Sequence, residues 1–288
     1  MTAQTMLDRL HQASATLTPA ERQLSAHLRR NYPVAGLASI TRLAQEAGVS
    51  SPTVLRLVQK LSFRGYPEFQ EALRLELEAQ LVSPLAKHER WSGAAPEAHL
   101  LNRFATAVAG NLQSTFSQID PEDFDRTAAM LADANRRVFA VGGRITQALA
   151  SYLCKHLAVI RPGVTLIEDA STGWPPALLE LRPGDLLLAF DIRRYEPSVM
   201  SLAEMAAEAG AEVILFTDQW VSPASTQAKQ VFAAHVEAPS AWDSNSVLMV
   251  LVETLMAGVQ AISHAETRAR MERLEQLYER ARTIRRGK

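Results

Sequence analysis

The stretch Ile40 to Tyr66, ITRLAQEAGVSSPTVLRLVQKLSFRGY, constrains this chain more than any other, because its apolar spacing and stop signals specify two short helices meeting at a tight corner. Ile40, Leu43, Ala44 and Ala47 recur at helical spacing, and Gly48 stops the helix where a left-handed residue is cheapest. Val49 plugs the corner. Ser50 and Ser51 are N-cap candidates, and Pro52 sits where a first-turn residue tolerates the loss of its N–H. Val54, Leu57, Val58 and Leu61 then share one face of the second helix. Thr53, Arg56 and Lys60 share the other.

This is the pattern of a helix-turn-helix, whose second helix enters the DNA major groove with its N-terminal residues at base edges. Ser51 and Thr53 offer hydroxyls to phosphates or bases. Arg56 can clasp a guanine through two donors, and Lys60 can neutralise a phosphate. An ordinary αα corner with a solvated face would use the same spacings. The complete set of stop, plug, cap and polar face favours the DNA-binding form.

The run I-x-x-L-A-x-x-A-G-V-S-x-x-T-V-x-R-L-x-x-K-L-x-F-x-G-Y-x-x-F, ending at Phe69, closely resembles the N-terminal domain of RpiR/MurR-type bacterial transcriptional regulators. The match spans about thirty positions without a gap. One departure is Ser62, where the family usually has Gly before the Phe, which bears on the local turn. The resemblance implies a double-stranded DNA operator as partner.

With 288 residues the chain has room for two domains and a sizeable core. A net charge of −1 excludes gross electrostatic attraction to nucleic acid. Residues 1–74 nevertheless carry nine Arg or Lys against five Asp or Glu, an excess suited to a modest DNA-binding head. Cys154 stands alone, so neither an intrachain disulfide nor a cysteine cluster for a metal is available. The polar N-terminus, with Asp8, is unlike a signal peptide. The most apolar stretch, Val247 to Ile262, is broken by Glu253 and Gln260 and is short for a membrane span. A cytoplasmic protein without membrane association is expected.

Thr18-Pro19-Ala20-Glu21 is a capping box that opens a helix, ended by Asn31, Tyr32 and Pro33. Its L-T-P-A-E-R context also resembles the start of the RpiR head. Helices around 36–47, 51–61 and 67–80 complete an all-α head. Residues 83–96, punctuated by Ser-Pro and Ser-Gly-Ala-Ala-Pro and containing Trp91, read as a connection. Helical pattern returns over 97–118, and Asp120-Pro121-Glu122-Asp123 starts another helix. Short apolar runs then alternate with amphipathic helices: 137–141, 164–167, 186–190, 213–216 and 231–236 are strands. Such alternation predicts an α/β domain with a five-stranded parallel, doubly wound sheet. The expected division is a helix-turn-helix domain over 1–82, a linker and connecting helix over 83–120, an α/β domain over 121–265 and a C-terminal helix over 266–288.

The order of strands and loops from about 125 to 265 resembles a SIS (sugar isomerase) domain. In that family a G-x-G-x-S turn after the first strand and an S-x-S-G-x-T turn after the third hold a phosphosugar. Here the first turn is Gly142-Gly143-Arg144-Ile145-Thr146, with Arg144 in place of the second glycine. The second is Asp191-Ile192-Arg193-Arg194-Tyr195-Glu196, with Asp191 and Arg193 in place of the serines, Arg194 of the glycine and Glu196 of the threonine. Two arrangements suit these residues. Arg144, Arg193 and Arg194 can form a cationic cup for an anion, with Asp191 and Glu196 orienting them and Tyr195 in the same loop. Alternatively the arginines pair with Asp191 and Glu196, closing the pocket and leaving a scaffold for dimerisation. The loop 238–244 adds Asp243 and Ser244, either as caps of the following helix or as borders of the pocket.

An isomerase needs a general base. His156 and His235 belong to no evident catalytic set, and arginine neighbours would weaken Glu196 as a base. No histidine pair has metal-ligand spacing. The expectation is therefore no catalytic residues, no metal and no cofactor. The chain reads as a homodimeric or homotetrameric DNA-binding regulator responding to a small anionic metabolite, a sugar phosphate or sugar acid. The alternatives are a phosphosugar isomerase or lyase with an accessory helical domain, and a DNA-binding protein whose SIS-like domain only dimerises.

Overall fold

The computed structural model of the chain describes residues 5–30, 32–81, 99–168 and 174–286; the expected connection at 83–96, with Trp91, lies outside them. Two compact units are present. One comprises Met1–Gln118, Thr217–Thr226 and Ala233–Val247; the other comprises Ile119–Phe216, Gln227–Phe232 and Leu248–Lys288.

The first unit holds helices α1 (Met6–Ala13), α2 (Pro19–Arg30), α3 (Val34–Leu37), α4 (Ile40–Glu46), α5 (Ser51–Lys60), α6 (Tyr66–Leu81) and α7 (Leu100–Phe116). Helix α1 went unread in the sequence because it is only eight residues long. Its start is nonetheless a full capping box, with the Thr5 side chain accepting from the Asp8 amide and the Asp8 carboxylate from the Thr5 amide. The expected helix over 36–47 is two elements. Ser39 is extended (φ −62, ψ 150) and caps α4 through the Arg42 amide, which ends α3 and redirects the chain.

The α4–α5 corner forms as its residues dictate. Gly48 is left-handed (φ +65), with its amide on the Gln45 carbonyl and the Val49 amide on the Ala44 carbonyl. That paired closure satisfies the last carbonyls of α4. Ser50 caps α5 by accepting from the Thr53 amide. The same closure ends α5, and there Ser62 takes the left-handed position (φ +67), its amide on Gln59 and the Phe63 amide on Val58. Serine thus preserves the turn that glycine would make at lower conformational cost. Leu24, Leu43, Leu57, Phe69 and Leu73 form the core beneath the corner. Each contributes roughly 1.5–3 kcal/mol by leaving water. Phe63 and Tyr66 pack on Phe69 with ring centroids 5.8 and 5.6 Å away. The Tyr66 hydroxyl donates to the carbonyls of Gly36 or Ala38, and burial pushes it up to about 12.

The second unit is built on helices α8 (Pro121–Ala132), α9 (Gln147–Ile160), α10 (Trp174–Glu180) and α11 (Pro197–Glu208), with most of α12 (Ser246–Ile262) and all of α13 (His264–Arg286). Strands β1 (Val138–Gly142), β2 (Val164–Leu166), β3 (Leu186–Asp191), β4 (Glu212–Asp218) and β5 (Ala228–Ala234) form a five-stranded parallel sheet in the order β2-β1-β3-β4-β5. β1 and β3 are buried along their whole length, as central strands covered on both faces must be. β5 alternates instead, as an edge strand does, and starts three residues before and ends two residues before the expected 231–236. Phe190, Phe216 and Phe232 stack in series across β3, β4 and β5, with centroids 4.5 and 5.4 Å apart. Among the described residues no single helix is long and apolar enough to cross a membrane.

Candidate functional site

On α5, Arg56 is exposed, and its guanidinium donates to the Thr53 hydroxyl at 3.0 Å. That hydroxyl lies 2.9 Å from the Ser50 hydroxyl, and Thr53 is only 4% exposed. Thr53 is therefore a brace for Arg56 rather than an open donor. Ser51, the first residue of the helix, is half-buried. Lys60 has a partner that its spacing did not signal: its ammonium lies 2.6 Å from the buried Glu21 carboxylate and 2.9 Å from the Thr16 carbonyl. Burial alone would raise Glu21, but the hydrogen bonds from Lys60 and Thr18 outweigh it and hold the carboxyl below its ordinary value. Lys60 thus ties the end of α5 to the start of α2, and its charge is already partly neutralised.

In the second unit the sequence-predicted loops meet. β1 and β3 are hydrogen-bonded neighbours at the point where the strand order reverses, which is where sheets of this winding open a crevice beyond their carboxyl ends. The Gly143 amide donates to the Phe190 carbonyl at 3.1 Å, and the Thr146 hydroxyl donates to the same carbonyl at 2.7 Å. Thr146 also accepts from the Gly143 amide at 2.8 Å. Its proton is committed to the sheet, so the buried hydroxyl fastens the two loops together. A methyl added at Gly143 would lie 2.9 Å from Glu196 Cγ, 3.5 Å from Thr146 Oγ1 and 3.9 Å from Asp191 Oδ1, so these four residues share one small volume. Asp191 is 1% exposed and accepts from the Glu196 amide at 3.1 Å, shaping the loop ahead of α11. Arg193 is left-handed (φ +55), a strained backbone for an arginine, and Tyr195 beside it is half-buried. Arg144 and Arg194 are exposed, and neither is ion-paired with a described residue.

Gln147 was not legible as a site residue. Its carboxamide accepts from the Gly142 amide and donates to the Ile167 carbonyl, both at 2.7 Å, stitching the ends of β1 and β2. Nothing in its sequence position announces a side chain that folds back onto two strands.

Asp243 and Ser244 belong to the other compact unit. The Ser244 hydroxyl bonds Ser246 Oγ at 2.9 Å and accepts from the Ser246 amide at 3.3 Å, so it caps α12. Trp242 next to them is 56% exposed. His156 is exposed and lies against the Tyr152 ring at 4.3 Å, while His235 is buried. Among the described residues no group of three His, Cys, Asp or Glu side chains is placed to hold a metal ion.

A helix-turn-helix head followed by a doubly wound domain of this strand order defines a class of two-domain transcription regulators. Residues 4–80 match the helix-turn-helix domain of the rpiR family, and residues 130–263 match the SIS domain. The chain belongs to the RpiR family of helix-turn-helix transcription regulators that carry a SIS domain. It is 27% identical over 218 residues to the HTH-type transcriptional regulator HexR of Pseudomonas aeruginosa, covering 74% of this chain and 73% of that one. The sugar isomerase domain of an RpiR transcription factor from Sphaerobacter thermophilus shares the fold (TM-score 0.57, 23% identity), covering 61% of this chain and 97% of that one. The Vibrio vulnificus NanR protein, complexed with ManNAc-6P, also shares it (TM-score 0.55, 20% identity) over 94% of this chain and 97% of that one.

Proposed function

We propose that this regulator binds an operator through the N-terminal half of α5, and that a small anionic sugar-derived metabolite, a sugar phosphate or sugar acid, modulates that binding from the β1/β3 crevice. The observation that carries the proposal is the meeting of two loops at the reversal of strand order, with Arg144 and Arg194 exposed on them and Arg193 held in a left-handed conformation. Guanidinium groups recognise carboxylates and phosphates by paired hydrogen bonds. Gly142, Gly143 and Thr146 shape the first loop; Asp191, Tyr195 and Glu196 shape the second. The sugar phosphate carried by the NanR structure supports this ligand class. We assign the crevice binding and not turnover, because neither His156 nor His235 belongs to the loops that form it.

On DNA, Arg56 braced by Thr53 is the base-reading residue, Ser51 a phosphate contact, and Lys60 holds the end of the helix in register. A homodimer would present two such helices, since one reads too few bases for useful specificity. Arg56→Ala is expected to weaken operator binding by roughly 1–3 kcal/mol and to leave binding to scrambled DNA nearly unchanged. Filter binding or anisotropy on both duplexes checks this, and equal losses on the two would remove Arg56 from base readout.

A second reading is favoured by the inward bonds of Thr146 and Asp191: a crevice closed to ligands, with the domain serving as a dimerisation scaffold. A thermal-shift screen against sugar phosphates, aldonic and uronic acids and short dicarboxylates decides between them. A ligand at a hundred times its dissociation constant should add about 2.7 kcal/mol. The shift is expected to disappear in Arg144→Ala/Arg194→Ala. No shift with any of these anions supports the scaffold.

A further inference from the structure

Away from the β1/β3 crevice, the first compact unit buries an ionisable cluster that neither DNA nor an effector explains. Asp8 and His235 are 4% and 3% exposed, 227 positions apart in the chain, with Asp8 Oδ1 3.2 Å from His235 Nε2. The same carboxylate oxygen accepts from the Gln118 carboxamide at 2.5 Å. The other oxygen closes the capping box of α1 through the Thr5 amide at 2.6 Å. His235 is fixed from behind, its amide donating to the Thr115 hydroxyl at 2.9 Å at the end of α7. One carboxylate therefore joins α1, the end of α7 and the segment leaving β5.

Such an arrangement is a poor way merely to stabilise a fold. Burying a pair of strongly polar groups seldom brings net stability over an apolar packing of the same volume, yet removing one partner leaves the other buried and unsatisfied. The cluster is also incompletely satisfied: His235 Nδ1 and the neighbouring Glu76 Oε2 are buried without hydrogen-bond partners. Unsatisfied groups of this kind mark a contact that can be released at less cost than a fully bonded core. The segment it grips, from His235 onward, is the one that carries Trp242, Asp243 and Ser244 and leads into α12. Its other end is α1, whose Met6 and Leu10 belong to the same core as Leu57 and Val58 of α5.

We propose that the Asp8–His235–Gln118 cluster is a releasable latch through which movement of the 235–245 segment is transmitted, by way of α1, to the packing of the DNA-reading helix. The regulatory half of this inference rests on the DNA-binding reading above; the mechanical half does not. Asp8→Asn and His235→Gln keep the size of each group and weaken the link. The milder Gln118→Ala serves if either fails to fold.

Hydrogen exchange on the full chain is the first measurement. Each variant should speed amide exchange of Met6–Ala13 by about tenfold or more, with the double variant no faster than the faster single, as members of one network behave. Unchanged α1 exchange, or additive effects, would overturn the latch. The second measurement uses the duplex enriched by the parent protein from a random 30-base-pair pool. Both single variants should change its affinity at least threefold in the same direction, with the same salt dependence as the parent, because no phosphate contact is touched. Loosened α1 with unchanged affinity would reduce the cluster to a structural tie and overturn its regulatory role. An enrichment that yields no duplex would count against the DNA-binding reading alone, leaving the exchange result to judge the latch.

Discussion

Gly142→Ala is expected to destabilise the chain by about 3 kcal/mol and to abolish any thermal shift produced by a crevice ligand. A Cβ at this position would lie 2.4 Å from the Gln147 nitrogen, 2.5 Å from the Thr146 carbonyl carbon and 2.6 Å from the Thr146 oxygen. All three are backbone atoms in the turn that starts α9, so no side chain can swing aside. Relief requires the turn to move. That would strain the Gly143 and Thr146 bonds to the Phe190 carbonyl that fasten the two crevice loops. Gly110→Ala is the matched control. It lies inside α7 with no neighbouring atom within 4 Å of the new methyl, and should gain roughly 0.5–1 kcal/mol from the lost freedom of glycine. Urea midpoints of the two variants should move in opposite directions. A Gly142→Ala protein as stable as the parent would mean that this turn is not as close-packed as its geometry indicates.

Glu76→Gln is expected to stabilise the chain increasingly as pH rises. Burial is the main cause pushing this carboxyl up to about 8, with the negative charge of Asp8 adding to it; the Met6 amide, donating at 2.7 Å, and the charge of Arg9 act in the opposite direction. The ordinary value for the unfolded chain is 4.5. Between these values the folded protein holds a proton that the unfolded chain releases, so stability falls as pH rises through that window and levels off above it. Glutamine keeps an acceptor for the Met6 amide and cannot ionise. Parent and variant should melt together near pH 4. By pH 8.5 the variant should be more stable by roughly 4–5 kcal/mol, or on the order of 10–15 °C in melting temperature. Asp8 works in the opposite sense. Burial would raise its carboxyl, but the hydrogen bond and charge of His235, with the Thr5 amide and Gln118, bring it below its ordinary value. Its stabilisation is therefore lost only as pH falls through the acid range, well separated from the Glu76 window. A pH-independent offset between Glu76→Gln and parent would show that Glu76 is not the group titrating.

The parts of the structure that were legible in the sequence are those governed by neighbours in the chain. Gly48 and Ser50 specified the corner because a left-handed stop and a hydroxyl cap act within four residues. Thr18 and Glu21 marked the start of α2 for the same reason. The apolar runs of β1 and β3 announced buried parallel strands, and the alternating helices announced their winding. The positions of the two crevice loops followed from that order and from the family resemblance. The split at Ser39 was missed because Ile40 and Leu43 continue the apolar spacing of the residues before them, and periodicity alone does not see a backbone that turns extended.

What only the tertiary structure decided is where the polar side chains go. Lys60 and Glu21 are 39 residues apart and Thr146 and Phe190 are 44 apart; each pairing is a consequence of packing, and no local rule reaches that far. Lys60 meets the Glu21 carboxylate, Thr146 the Phe190 carbonyl on the neighbouring strand, and Ser244 the start of α12. Asp8 and His235, 227 positions apart, gave no sign in the sequence of meeting, because burial of a polar pair depends on which segments the fold brings together and on the water it removes from them. Hydrophobic period and capping chemistry are properties of short stretches and are written in the sequence. The partners of buried charges are set by the whole core.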